Sequence, residues 1–247
     1  ISASFIFFFL LGYLSKFLSK YIYSEKIWKM PNIWNTLSKP SEEIISDLPA
    51  AKNNYITFGS FNNVDKINIS VIKTWSSILK EVKNSKIFFK YVHFDKDQYI
   101  SLIKKSFQKC GISNDRIIIS GGTKRSEHLK MFNKIDISLD PFPYSGGTTS
   151  FESVWMGVPM LALKGKKFIS NCGVSINTNL NMNDWIATST EDYINKAVNF
   201  SKDISYLKNI RLNLRSKCLN SPLFDGKKFA KDFNDALINM WKIYNNK

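Results

Sequence analysis

Three short segments hold the residues whose types and spacing could do chemistry, and each leaves an apolar run to open an amphipathic one. The first is Asp140-Pro-Phe-Pro-Tyr-Ser-Gly-Gly-Thr-Thr-Ser-Phe-Glu152. Gly146 and Gly147 let the backbone approach a ligand closely, and the helix start that follows offers free N–H groups beside the hydroxyls of Thr148 and Thr149. Such a turn is an anion site suited to a diphosphate. A tight strand-to-helix turn with a threonine cap is the plainer alternative. It accounts for one threonine, not for two of them with a double glycine and the preceding PFPY. The turn lacks the Gly-Lys-Ser/Thr of a P-loop and the GxGxxG of a dinucleotide site, which disfavours ATP hydrolysis and NAD chemistry.

The second segment, residues 58–66, carries Asn63 and Lys66. A lysine at a helix start is unfavourable against the local dipole unless an anion sits there, so Lys66 could neutralise a departing phosphate; a solvated surface lysine is the alternative. The third is Arg125-Ser-Glu-His128, where His128 could hydrogen-bond a base or ribose while Arg125 meets a phosphate. A structural histidine is the alternative there. His93 has no acidic or cysteine companion at metal spacing, Asp95 and Asp97 read as a polar turn, and no His/Cys/Asp/Glu cluster suggests a metal.

The elements that must position these segments follow from periodicity. Apolar runs at residues 55–61, 86–92, 116–120, 136–140 and 159–163 read as strands, with amphipathic helices between them. In the first helix Ile69, Ile72, Trp75, Ile78 and Leu79 recur at helical spacing, Gly111 closes the second, and Ser126 is placed to cap the third. Continuous apolar strands alternating with helices predict a parallel, doubly wound α/β sheet over about residues 52–190. Beyond it the chain reads as mostly helical, with Trp241 and Tyr244 packing on the last helix. Proline-dotted residues 20–54 read as a linker. The predicted division is therefore a partial N-terminal segment and linker at 1–51 and a nucleotide-binding domain with C-terminal helices at 52–247. Ligands of such sheets sit at the carboxyl ends of the strands, where all three segments fall.

With 247 residues, 44% hydrophobic and 22% charged, the chain is ordinary globular material rather than disordered or low-complexity. Cys110, Cys172 and Cys218 stand far apart, which excludes a disulfide scaffold or zinc ribbon and fits a reducing, cytoplasmic setting. The formal charge of +15 would raise nucleic acid as a partner, but only four of the 35 basic residues are arginine and the lysines are scattered singly. No nucleic-acid partner is expected. Residues 1–15 carry no charge and Lys16 follows. The run is short for a membrane span, and a signal peptide would carry its positive charges first. With no initial methionine, it reads as a core element of a longer chain, with a membrane anchor or a sequence artefact as alternatives.

Taken in order, YSEKIWKMPNIW, FGSFNNVDKI, RIIISGGTKRSEHL, LDPFPYSGGTTSFESVWMGVPML, SNCGVSIN and SPLFDGKKFAKDF resemble the C-terminal catalytic region of the O-linked N-acetylglucosamine transferase / SPINDLY family, from about residue 21 to residue 244. The resemblance implies a GT-B glycosyltransferase, of which this chain holds the second, Rossmann-like, nucleotide-sugar-binding domain. It implies inverting transfer of N-acetylglucosamine from UDP-GlcNAc to Ser or Thr of acceptor proteins, with no cofactor and no metal. A GDP-fucose donor and a non-catalytic nucleotide-sugar-binding fragment remain as alternatives. The first GT-B half and the tetratricopeptide repeats of the family are missing partners here, and residues 1–18 do not look like the family's usual upstream sequence.

Carried onto this chain, the resemblance implies that Lys66 stabilises the leaving diphosphate and that Asn63, in place of a glutamine, touches the nucleotide. Thr123, Lys124 and Arg125 line the nucleobase, with His128 stacking on it. Gly146, Gly147, Thr148 and Thr149 form the phosphate turn, Gly147 standing where animal enzymes have histidine. Glu152 replaces an aspartate that holds the ribose hydroxyls.

Overall fold

A computed structural model describes residues 9–10 and 27–246; the readings made for residues 1–18 fall, but for that pair, outside them. Six parallel strands form the central sheet: β1 (Ile56–Ser60), β2 (Ser85–Lys90), β3 (Ile117–Ser120), β4 (Ile137–Leu139), β5 (Met160–Leu163) and β6 (Ile186–Ala187). Their spatial order is β3-β2-β1-β4-β5-β6, with every neighbouring pair parallel. This is the doubly wound arrangement in which the chain reverses direction across the sheet between β1 and β4. Phe9–Leu10 and Trp28–Lys29 form a separate parallel pair.

Nine helices accompany the strands among the described residues: α1 (Pro49–Asn53), α2 (Ile69–Glu81), α3 (Asp97–Lys109), α4 (Arg125–Met131), α5 (Thr148–Trp155), α6 (Cys172–Asn179), α7 (Thr190–Lys202), α8 (Ile204–Leu219) and α9 (Gly226–Asn245). In α2 the stripe of Val71, Ile72, Trp75, Ile78 and Leu79 is buried, while Ile69 opens the helix and is 62% exposed. Ile69 thus leaves the predicted apolar face, because the Asn68 cap, which accepts the N–H groups of Ser70 and Val71, starts the helix just before it. Gly111, at φ 79°, does end α3. Helix α4 instead starts at Arg125 with no side-chain cap, so Ser126 is not its cap.

Two expectations are corrected by packing. The proline-dotted stretch before β1 is no free linker: Ile33 and Leu48 are buried, and Pro49 opens α1, where its missing N–H costs nothing. Arg211, itself buried, donates through Nε to the Ser46 carbonyl at 2.8 Å and through Nη1 to that of Ile135. Arg215 donates to the Glu43 carbonyl at 2.8 Å. A planar guanidinium can bind several carbonyls at once, and these two fasten the stretch as a strap. Arg116 does the same for the carbonyls of Leu79, Val82 and Ser85. The second correction is on α9, where Trp241 and Tyr244, 64% and 52% exposed, stack on each other at 6.1 Å between centroids outside the core; Ala236 and Met240 are the residues of α9 that bury, against Met30.

The core is continuous through both layers, with Trp75, Trp155 and Trp185 fully buried. Among the described residues no helix is long and apolar enough to cross a membrane, and the three cysteines are unpaired.

Candidate functional site

The strand order opens a crevice beyond the carboxyl ends of β1 and β4, and the loops after β1, β3 and β4 meet there. Asp140, immediately after β4, organises the floor. Its Oδ1 accepts the N–H of Gly146 at 2.8 Å and the hydroxyl of Ser150 at 3.2 Å. Burial pushes the carboxyl up to about 7, against those two hydrogen bonds and the charge of Lys66. A Cβ on Gly146 would fall 2.1 Å from Ser150 Oγ and 2.8 Å from both Asn62 Oδ1 and Asp140 Oδ1, so only glycine lets the turn close onto Asp140. A Cβ on Gly147 would meet nothing within 4 Å. The two glycines therefore differ: Gly146 is needed for packing, and Gly147 opens onto free space.

Asn62, which the sequence reading passed over for its neighbour, is buried and accepts the hydroxyl of Thr149 through Oδ1 at 3.0 Å. It joins the loop after β1 to the first turn of α5. Asn63 turns the other way and accepts the N–H of Asp65, capping the single 3-10 turn Val64–Lys66. That turn carries Lys66 toward the phosphate-type loop, where Nζ donates to the Ser145 carbonyl at 2.9 Å and lies 4.0 Å from the centre of the Tyr144 ring. Burial lowers the Lys66 pKa, while Asp140 and Cys172 raise it. The ammonium and the amino end of α5 thus bring positive potential to one place, an arrangement that an anion relieves.

Glu152, in the second turn of α5, is 1% exposed. One carboxylate oxygen pairs with Arg125 Nη1 and the other meets His128 Nε2 at 3.0 Å. The residue expected to hold ribose hydroxyls has both oxygens engaged by two of the four residues expected at the nucleobase. The His128 ring also packs edge-on to Phe61 and Phe132, at 5.7 and 5.6 Å between centroids.

A cavity of about 430 Å³ lies among these groups, within the range of small-molecule sites. Of the predicted residues, Thr123, Arg125, His128, Thr148, Thr149 and Glu152 line it. Lys66, Gly146 and Gly147 belong to the adjoining turn, Asn63 is occupied as a cap, and Lys124 is an exposed residue ahead of α4. Lining residues that sequence reasoning missed are Phe61, Lys90, Tyr91, Val92, Gly121 and Gly122. A signal for Lys90 existed: a lysine directly after Ile87-Phe88-Phe89 at the carboxyl end of a strand. Among the described residues no group of three His, Cys, Asp or Glu side chains could hold a metal ion.

Comparison with known proteins identifies the family and the fold. The model of Glycosyl transferase family 41 matches residues 45–233. A probable UDP-N-acetylglucosamine–peptide N-acetylglucosaminyltransferase SPINDLY of Eustoma exaltatum subsp. russellianum is 36% identical over 208 residues, 83% of this chain and 23% of the relative. Its counterpart in Solanum lycopersicum is 32% identical over 223 residues, 89% of this chain and 24% of the relative. This chain therefore spans about a quarter of the length of the curated relatives it matches. Among solved structures, a mutant of the Thermobaculum terrenum O-GlcNAc transferase superposes with a TM-score of 0.81 at 25% identity, over 88% of this chain and 41% of that one. The α/β domain is of the GT-B glycosyltransferase type, and the chain belongs to glycosyltransferase family 41.

Proposed function

We propose that this chain is the donor-binding half of an inverting protein O-glycosyltransferase that moves N-acetylglucosamine from UDP-GlcNAc to Ser or Thr of acceptor proteins. The observation that carries the reading is the convergence of Lys66 with the amino end of α5 beside a cavity of nucleotide size. In such a transfer the acceptor oxygen attacks the anomeric carbon, the bond from that carbon to the diphosphate oxygen breaks, and its electron pair leaves with UDP. The hydroxyl proton passes to a general base. What this chain supplies is stabilisation of the leaving diphosphate. Lys66 gives one N–H to Ser145 and retains two; Thr148 and the free N–H groups of the first turn of α5 add further donors. One preorganised donor of this kind is worth about 3 kcal/mol in the transition state.

The names of the 32–36% identical relatives favour UDP-GlcNAc over GDP-fucose as donor. The three unpaired thiols fit a cytoplasmic protein. Calorimetric titration with UDP and then GDP, beside Lys66→Ala, tests the reading. Micromolar UDP binding weakened by the substitution supports it. Preference for GDP would replace N-acetylglucosamine by fucose, and a folded chain that binds neither would refute the donor site.

A further inference from the structure

Lys90 closes β2 directly after three apolar residues. Side chains two apart on a strand share a face, so Lys90 lies on the side of Phe88. The Phe88 ring meets Phe61 at 5.3 Å between centroids, and Phe61 in turn meets His128. That face is turned toward the cavity, and Lys90 lines it while being only 1% exposed. An ammonium carries three donors. One reaches the Gly121 carbonyl at 2.6 Å, and Lys90 forms no ion pair among the described residues. Asp95, the nearest acid acting on it, accepts the N–H of Gly122. Burial lowers the Lys90 pKa, with Asp95 opposing. A buried cation with unfilled donors is costly unless a ligand brings an acceptor.

We propose that Lys90 reads the nucleobase, donating to a ring carbonyl oxygen and so selecting oxo-bases over amino-bases. The inference rests on the nucleotide reading of the cavity. With the diphosphate at the amino end of α5, the nucleoside extends toward the ends of β2 and β3, where Lys90, Tyr91, Gly121 and Gly122 stand. Uracil and guanine present an oxygen where cytosine and adenine present an amino group. An amino group facing the ammonium sets donor against donor in a dry site, which such sites reject strongly.

Titration of the chain with UDP, CDP, GDP and ADP compares oxo- with amino-bases at constant ribose and diphosphate; each pair differs also at the adjacent ring nitrogen, so the Lys90 variants assign the preference to the oxygen. The expected result is a preference of about tenfold or more for UDP over CDP, or for GDP over ADP, the size of one hydrogen bond to a charged group. The pair that shows the preference identifies the base. Lys90→Met brings the two members of that pair to similar affinity. Lys90→Gln, which keeps a donor for Gly121 but presents either a donor or an acceptor, does the same and serves if the methionine variant does not fold. A preference unchanged in a folded variant, or equal binding of all four nucleotides by the parent chain, overturns the role of Lys90 and leaves the donor site standing. A folded parent chain that binds none of them overturns both.

Discussion

The hydroxyl of Thr149 donates to Asn62 Oδ1 at 3.0 Å, so the first turn of the phosphate-side helix is tied to the loop after the central strand. Two segments 87 residues apart thereby form one rigid edge of the cavity. Asn62→Ala should destabilise the fold by about 1 kcal/mol, the net worth of a buried hydrogen bond, and weaken UDP binding. Thr149→Val should do the same, and the double variant should cost less than the sum of the two. Urea unfolding and calorimetry of the four proteins check this; strict additivity would show that the bond does not couple the loops.

Lys66 is the group whose loss should show in turnover. In the full-length enzyme, Lys66→Ala should lower turnover by about a hundredfold or more, as removal of a preorganised transition-state donor does. Near-normal turnover would remove Lys66 from the mechanism.

The two glycines of the turn should part company. Gly146→Ala forces three polar oxygens apart at Asp140, Asn62 and Ser150, a strain of about 1–3 kcal/mol. Gly147→Ala meets open space and should stay within about 0.5 kcal/mol of the parent. Thermal unfolding of the pair decides; equal losses would mean that the turn does not rest on Asp140.

Asp140 makes a statement about pH. Its carboxyl titrates near 3.8 unfolded and about 7 folded, raised by burial, so the folded state binds the extra proton between those values. Its contribution to stability is therefore fully present below about pH 4 and falls as pH rises toward 7, by at most roughly 1.4 kcal/mol per pH unit. Asp136, raised by burial to about 6, adds in the same direction over a narrower window. Asp140→Asn, which keeps an acceptor for Gly146 and Ser150, should flatten the slope of unfolding free energy between pH 4 and 7. A slope unchanged by the substitution would assign it to other groups.

Much of this molecule follows from local pattern. Apolar runs alternating with amphipathic helices have few ways to bury both faces of their strands, and a parallel sheet is the one they take. The glycine-threonine turn announces itself because a strand end, a helix start and small residues are contiguous in the chain. The sixth strand, Ile186–Ala187, was out of reach, since two residues carry no periodicity and are drawn into the sheet only by pairing with β5. The strap over residues 33–48 was equally hidden: its prolines forbid long helices, and its carbonyls dock on side chains far along the chain, Trp155 at Ser41, Asn133 at Ile44, Arg211 at Ser46 and Arg215 at Glu43. The charges tell the same story at the site. From the sequence, Glu152 is a carboxylate near a phosphate turn and Lys90 one lysine among many. Their meaning comes from three-dimensional neighbours, Arg125 and His128 for the one and the cavity wall for the other. Local propensity acts through the few residues on either side, whereas burial and charge pairing depend on what the completed fold brings within a few ångströms.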